Sequence, residues 1–245
     1  MKRELAMGIH AVEALISTSP ERLVRVWISK SSKSADKIEK SLRDMGVPIE
    51  RVEASVLDRR AAGVRHQGVI AEFVPSAPID LRELQDLLAA AEDQPLVLVL
   101  DGVTDPHNLG ACMRSAAAAG ALAVVVPKDR AAGLTPVARR AAAGAAERLP
   151  LAVVTNLARS LGALGEHGLW RIGLTGSAEH SLYQCDLRGP IALVLGSEDR
   201  GLRRLTRENC DQLAHIPMPG AMESLNVSVA AGVALFEAVR ARAVC

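Results

Sequence analysis

Aromatic side chains are scarce. Two Trp, two Phe and one Tyr among 245 residues argue against an RNA platform built from stacked Phe and Tyr. The four cysteines, Cys112, Cys185, Cys210 and Cys245, lie far apart and form no CxxC pair, so zinc is not suggested. No apolar run approaches the ~20 residues that span a bilayer. The opening Met1-Lys2-Arg3-Glu4 leads into a short amphipathic segment rather than a signal peptide, and the expected compartment is a reducing cytoplasm. No strand is followed by GxGxxG, so a Rossmann-type nucleotide loop is not expected. The net charge of +1 makes no global electrostatic case for nucleic acid, although charge can be local.

What is present is an α/β pattern. Apolar residues make up 49% and charged residues 23% of the chain, a soluble, globular balance. Residues 1 to 75 read as a small α/β/α unit: a helix over Ile9–Ile16, a strand over Leu23–Ile28, and a helix over Ala35–Met45 closed by Gly46. A strand over Ile49–Val52, a helix capped by Ser55 and running through Arg60, and a strand over Val69–Phe73 complete it. This segment holds 13 Lys and Arg against 10 Asp and Glu. Lys30, Lys33, Lys37, Lys40, Arg59, Arg60, Arg65 and His66 form either a solvated face or a phosphate-contacting one.

Val74-Pro75-Ser76-Ala77-Pro78 has linker composition, and an acidic helix, Leu81–Ala91, follows. The change of charge sign sets a domain boundary near 75–95. Beyond it, Leu96–Leu100 is an unbroken apolar strand of the kind covered on both faces. Further strands are expected at Leu122–Val126, Leu151–Val154, Trp170–Leu174, Ile191–Leu195 and Gln212–Ile216. Helices fall between them at Leu109–Ala119, Pro136–Ala145, Leu157–Leu164 and Leu202–Asn209, and a last one runs over Leu225–Ala243. This alternation predicts βαβ units and a parallel sheet, with ligands at the carboxyl ends of its strands.

Three loops at such ends carry unusual residues. The first is Asp105-Pro106-His107-Asn108-Leu109-Gly110, with Arg114 further along the helix. Asp105-Pro106 can open a turn and Asn108 can cap the helix. On the residues alone, Arg114 reads first as a surface or interface arginine and His107 as a loop histidine without a ligand. The second loop is Gly196-Ser197-Glu198-Asp199-Arg200-Gly201, whose glycines permit close backbone approach. Glu198 is either a binding acid or a helix-entry charge. The third runs from Ile216-Pro217-Met218 through Pro219 and Gly220 to Ser224-Leu225-Asn226-Val227-Ser228, with Ser224 a plausible N-cap.

In this order and spacing, the three loops resemble the three motifs of the SpoU (TrmH) class of RNA ribose 2′-O-methyltransferases. Asp199 stands where many members have Gly; Glu198 and Gly201 match. The resemblance covers the whole chain and is closest to the bacterial 23S rRNA guanosine 2′-O-methyltransferase subgroup. It implies an α/β fold with a C-terminal parallel-sheet domain holding a deep trefoil knot (SPOUT type), which periodicity alone does not predict, and a small N-terminal L30e-like domain. The implied division is 1–75 for RNA binding, 76–95 for a linker and acidic helix, and 96–245 for the knotted catalytic domain.

The resemblance further implies S-adenosylmethionine as methyl donor, held by Gly196, Ile216 and Leu225 with Thr175 and Met218 as neighbours, and no metal. It places Arg114 at the reaction, with Asn108, Glu198, Ser224 and Asn226 shaping the pocket. A guanidinium is a poor general base at neutral pH. Arg114 is therefore better suited to stabilising an alkoxide or gripping a phosphate. The implied partners are 23S rRNA or a ribosome precursor and a second copy of the chain, packed through the knotted domain, with Val229, Val233 and Phe236 as candidate contacts. The alternatives are a tRNA ribose 2′-O-methyltransferase and a non-catalytic RNA-binding ribosome-assembly protein of the same fold.

Overall fold

The computed structural model describes residues 3–32, 36–222 and 224–243. Lys33 and the expected helix start at Ala35 fall outside the described residues. Contacts divide the chain into two units, Met1–Ala77 with Ala143–Arg148, and Pro78–Ala142 with Leu149–Cys245. No helix among the described residues is long and apolar enough to cross a membrane.

The first unit is built on a four-stranded sheet. Its elements are β1 (Glu4–Met7), α1 (Ile9–Thr18), β2 (Leu23–Ser29), α2 (Asp36–Asp44), β3 (Ile49–Val52), α3 (Ala54–Ala61) and β4 (Val69–Phe73), and the strand order is β1-β4-β2-β3. Alternation along β2 sends Val26 and Ile28 to one face, where they pack with Val12, Leu15, Ile38 and Leu42, and sends Trp27 to the other, with Leu57 and Ala61. The result is the α/β/α layering expected from the sequence. β1 was not expected: four residues too short to show a period are recruited by antiparallel pairing with β4. Ser55 lies inside α3 rather than capping it, since the N-cap is Glu53.

Much of the basic character of this unit is internally engaged. Arg43 and Arg51 grip Glu39 and hold its carboxyl below the usual range. Lys30 pairs with Glu53 at 2.8 Å and His66 with Asp58 at 3.0 Å. Arg60 lies over the Trp27 ring, 4.1 Å from its centroid. Lys37, Lys40 and Arg65 are exposed and have no side-chain partner among the described residues.

The second unit begins with α4 (Leu81–Ala89). Asp80 and Glu83 form a reciprocal capping box at its start, and Leu84 and Leu88 are buried against Val97 and Val99. Then follow β5 (Leu96–Asp101), α5 (Pro106–Ala118), β6 (Ala123–Pro127) and α6 (Pro136–Ala142). The helix expected to reach Ala145 breaks at Ala143 and Gly144, both with positive φ, and the short α7 (Ala145–Arg148) clusters with the first unit. The second unit resumes with β7 (Leu151–Val154), α8 (Leu157–Glu166), β8 (Trp170–Leu174), β9 (His180–Ser181), β10 (Ile191–Gly196), α9 (Arg204–Glu208), β11 (Gln212–His215) and α10 (Val227–Ala243).

Its seven strands run in the order β7-β6-β5-β10-β8-β11-β9, and every pairing is parallel. All six residues of β5 are buried, as both-face coverage requires. The chain leaves β5 toward β6 on one side, and β10 later pairs with its other side. The carboxyl ends of β5 and β10 thus meet at a topological switch point, where open α/β sheets bind ligands. Gly110 lets α5 and α6 touch: a Cβ there would lie 2.3 Å from the Ala138 carbonyl oxygen.

At the opposite end of the sheet, Arg171 of β8 binds Asp211 through Nε at 2.7 Å and Nη2 at 2.5 Å. Arg171 thereby holds the Asp211 carboxyl below the ordinary carboxylate range. A carboxylate whose folded pKa is depressed contributes stability above its unfolded value of about 3.9, and that contribution is lost as pH falls through the folded value. Asp211→Asn should therefore lower the melting temperature at pH 7, by the equivalent of about 0.5–1 kcal/mol once solvent screening of an exposed pair is allowed for. The difference from wild type should shrink as pH is taken from 5 to 2.5. Thermal unfolding followed by circular dichroism across that range checks it; a pH-independent difference would refute the assignment.

Candidate active site

The loop after β5 organises the first wall of the site. Asp105 is the N-cap of α5 and accepts from the His107 N–H at 2.9 Å, with Pro106 in the first turn. The helix therefore starts three residues before the expected Leu109. Its cap is Asp105, not Asn108, because the Asp-Pro pair supplies both an acceptor and a preset φ. Asn108 is left free to point its amide outward, and Nδ2 donates to Glu198 Oε1 at 3.1 Å. His107 is exposed.

The turn after β10 folds back on its own strand. Gly201 has φ +63°, and its N–H donates to the Ser197 carbonyl at 2.8 Å. The turn lies directly on Gly196: a Cβ on that residue would sit 2.0 Å from the Gly201 carbonyl carbon. Only hydrogen fits there. This close fold-back projects Glu198 toward α5 and the start of α10.

The third loop ends at α10, which begins at Val227 rather than Leu225. The capping contact comes from Asn226, whose Oδ1 accepts from the Ser228 N–H at 2.9 Å and from its hydroxyl at 2.6 Å. Ser224, expected as the cap, is exposed and two residues too early. Asn226 Nδ2 donates to Glu198 Oε1 at 2.6 Å and to Asn108 Oδ1 at 3.0 Å. The Val227 N–H reaches the same Glu198 oxygen at 3.1 Å. One carboxylate oxygen thus receives donors from two other segments, and it lies at a helix N-terminus, where negative charge is favoured.

Beside this cluster is an open cleft with an empty volume of about 730 Å³, counting the space open to solvent. Thr175, Gly196, Ile216, Met218 and Leu225 all line it, as do Glu198 and Ser224. Leu174, Gly176, Leu195, Val227 and Ala230, to which the sequence assigns no cofactor role, also line it. They read as ordinary strand and helix positions and become lining only because three strand ends are neighbours. Arg114 does not join the cluster. It is exposed on α5 and makes no hydrogen bond or ion pair among the described residues. Cys112, one turn beyond Asn108 on α5, is buried, and burial followed by the nearby Glu198 charge pushes its thiol up to about 12. It stays a neutral thiol and offers no nucleophile.

The apolar walls, the exposed strand-end backbone and the free carboxylate edge suit a ligand with a flat heterocycle and a polar tail. The fold belongs to the SPOUT class of methyltransferases. The SpoU methyltransferase AviRb from Streptomyces viridochromogenes, solved in complex with AdoMet, superposes with a TM-score of 0.80 at 24% identity over 99% of this chain and 92% of that one. Residues 95–236 match the SpoU rRNA methylase family and residues 5–78 the RNA 2′-O ribose methyltransferase substrate-binding family. Proteins named 23S rRNA (guanosine-2′-O-)-methyltransferase RlmB from Xylella fastidiosa (strain 9a5c) and Escherichia coli (strain K12) are 54% and 51% identical, covering 98% of this chain and 98% and 99% of theirs. The chain belongs to the SpoU rRNA methylase family.

Gly196→Ala should push the turn off β10 and cost about 1–3 kcal/mol of stability, with faster amide exchange at Val227. Gly176→Ala is the control on the same cleft, since a Cβ there meets nothing within 4 Å; it should be neutral within about 0.5 kcal/mol. Chemical denaturation and hydrogen exchange measure both, and equal effects would contradict the geometry.

Proposed function

We propose that this protein transfers a methyl group from S-adenosylmethionine to the ribose 2′-OH of a guanosine in 23S rRNA. The observation that carries this reading is the full-length likeness to two 23S rRNA guanosine methyltransferases. It combines with a cleft whose lining includes every residue expected to hold the cofactor. The fit is physical as well as positional. Leu195, Ile216, Leu225 and Ala230 offer apolar contact to an adenosine, and strand-end backbone offers the donor and acceptor that an adenine edge needs. When bound, the cofactor supplies an electrophilic methyl group.

The chain's own residues do the rest. Glu198, Asn108 and Asn226 hold the cleft wall and the start of α10 in one arrangement, so that binding needs little reorganisation. Arg114 is a charge without a partner among the described residues, which fits a group completed by RNA. A guanidinium keeps its proton at neutral pH. Its role here is to neutralise the developing 2′-alkoxide or the adjacent phosphate through charge-assisted hydrogen bonds, the proton leaving to phosphate or water. Residues 1–75 act as the RNA-holding domain, with Lys37, Lys40 and Arg65 as its uncommitted cations. Residues 76–95 lead into the catalytic domain, 96–245, and their acidic helix α4 packs into its core. The protein works in the cytoplasm as a homodimer, with Val229 and Phe236, seven residues apart on one face of α10 and 51% and 50% exposed, as contacts open to the second copy.

Arg114→Ala should reduce methyl transfer to unmodified 23S rRNA by about 100-fold or more, with S-adenosylmethionine affinity unchanged within about twofold. Transfer of radiolabelled methyl, with a tRNA pool in parallel, measures the first, and calorimetry the second. A variant as fast as wild type removes Arg114 from the reaction. Label in tRNA alone overturns the target while keeping the chemistry.

A further inference from the structure

The side chain of Asp101 is fully buried at the carboxyl end of β5, yet it belongs to none of the three loops that mark the family. It stands beside Gly196 in the parallel register of β5 and β10. Its two oxygens are both used on one residue: Oδ2 accepts from the Arg203 backbone N–H at 2.9 Å and Oδ1 from Arg203 Nε at 2.5 Å. Arg203 is the N-cap residue of α9, two positions after the Gly201 that closes the turn. An ionised carboxylate withdrawn from water is tolerated only when paired and hydrogen-bonded. Arg203 satisfies both needs and leaves Asp101 one place to bind.

The consequence reaches the cleft. The turn over residues 197–201 is short and is held to the sheet at two points. At its entry, Gly196 lies against Gly201. At its exit, the chain is tied by Arg203 to the neighbouring strand. Glu198 sits between these points and carries the contacts to Asn108, Asn226 and Val227. We infer that Asp101 is a positioning residue for the reaction: by clamping Arg203 at both its backbone N–H and its guanidinium, it fixes the turn that carries Glu198 and lines the cofactor cleft. The inference rests on the proposed cofactor reading of that cleft. Asp101 is not itself among the residues that line the cleft, and both of its side-chain oxygens bind Arg203.

The test compares Asp101→Asn, Arg203→Ala and Arg203→Lys with wild type, and uses Asp211→Asn as an ion-pair control at the far end of the sheet. Three quantities are read: amide exchange of residues 197–203 in the free protein, S-adenosylmethionine affinity, and steady-state methyl transfer. Asp101→Asn should speed exchange in the turn and raise the KM for S-adenosylmethionine by about tenfold. It should leave kcat at saturating cofactor within about threefold, since Arg114 is untouched. Arg203→Ala should move the same way, and Arg203→Lys, which keeps the charge and the backbone bond, should recover most of the loss. Asp211→Asn should lower the melting temperature and leave KM alone. If Asp101→Asn does not fold, the pair at Arg203 decides. Variants that lose stability but keep the turn's exchange and the KM within about twofold of wild type overturn the inference. A wild type that binds no S-adenosylmethionine overturns the cofactor reading instead, and the exchange comparison then still decides whether the clamp holds the turn.

Discussion

Oxygen Oε1 of Glu198 is the meeting point of the catalytic unit. Asn108, 90 residues earlier, and Asn226, 28 residues later, both donate to it, and so does the first N–H of α10. Glu198 is exposed, so each of these bonds adds only modest net stability. Their larger effect here is directional: three loops that could each wander are tied to one atom. Loops at strand ends are ordinarily the mobile part of an α/β protein. In this chain they are locked to each other as well as to the scaffold, and the cleft lies along the lock.

The scaffold makes this possible by what it does not contain. β5, β6 and β10 are apolar along their length up to Asp101 at the carboxyl end of β5, so their faces are left to packing. Polar chemistry is displaced to the strand ends, where β5 and β10 stop side by side. Small residues then allow close approach: Gly110 lets α5 lie against α6, and Gly196 lets the following turn fold onto its own strand. Each is a position where one carbon would force backbone apart. Arg114 stands outside this network, on the same helix as Asn108 but on another face. A charge left exposed near a preformed pocket is suited to a large polyanionic substrate that brings its own partner for it.

Much of the architecture was legible from local pattern. The buried run Leu96–Leu100, the helical period ahead of Gly46 and the alternation in Leu23–Ile28 each report their environment directly. Short elements were not legible. β1 and β9 span four and two residues and exist only because a longer strand pairs with them. Helix starts were misjudged where two residues compete for one cap. Asp105 prevails over Asn108 because Pro106 presets the first turn, and Asn226 over Ser224 because its own backbone carbonyl already receives the helix's first bonds. In both cases the asparagine takes up its place in the Glu198 cluster.

The sequence by itself determined the longer elements and the layering they imply, which follow from periods of two and about four residues that sequence neighbours alone set. It also holds, in order, the residues of three loops that resemble a family's motifs. Only the tertiary structure decided that β10 lies between β5 and β8, that three loops share one carboxylate oxygen, and that Asp101 reaches Arg203 across 102 positions. Such contacts depend on where parallel strands come to rest in the sheet. That order is chosen by the packing of whole faces, and no single stretch of chain records it.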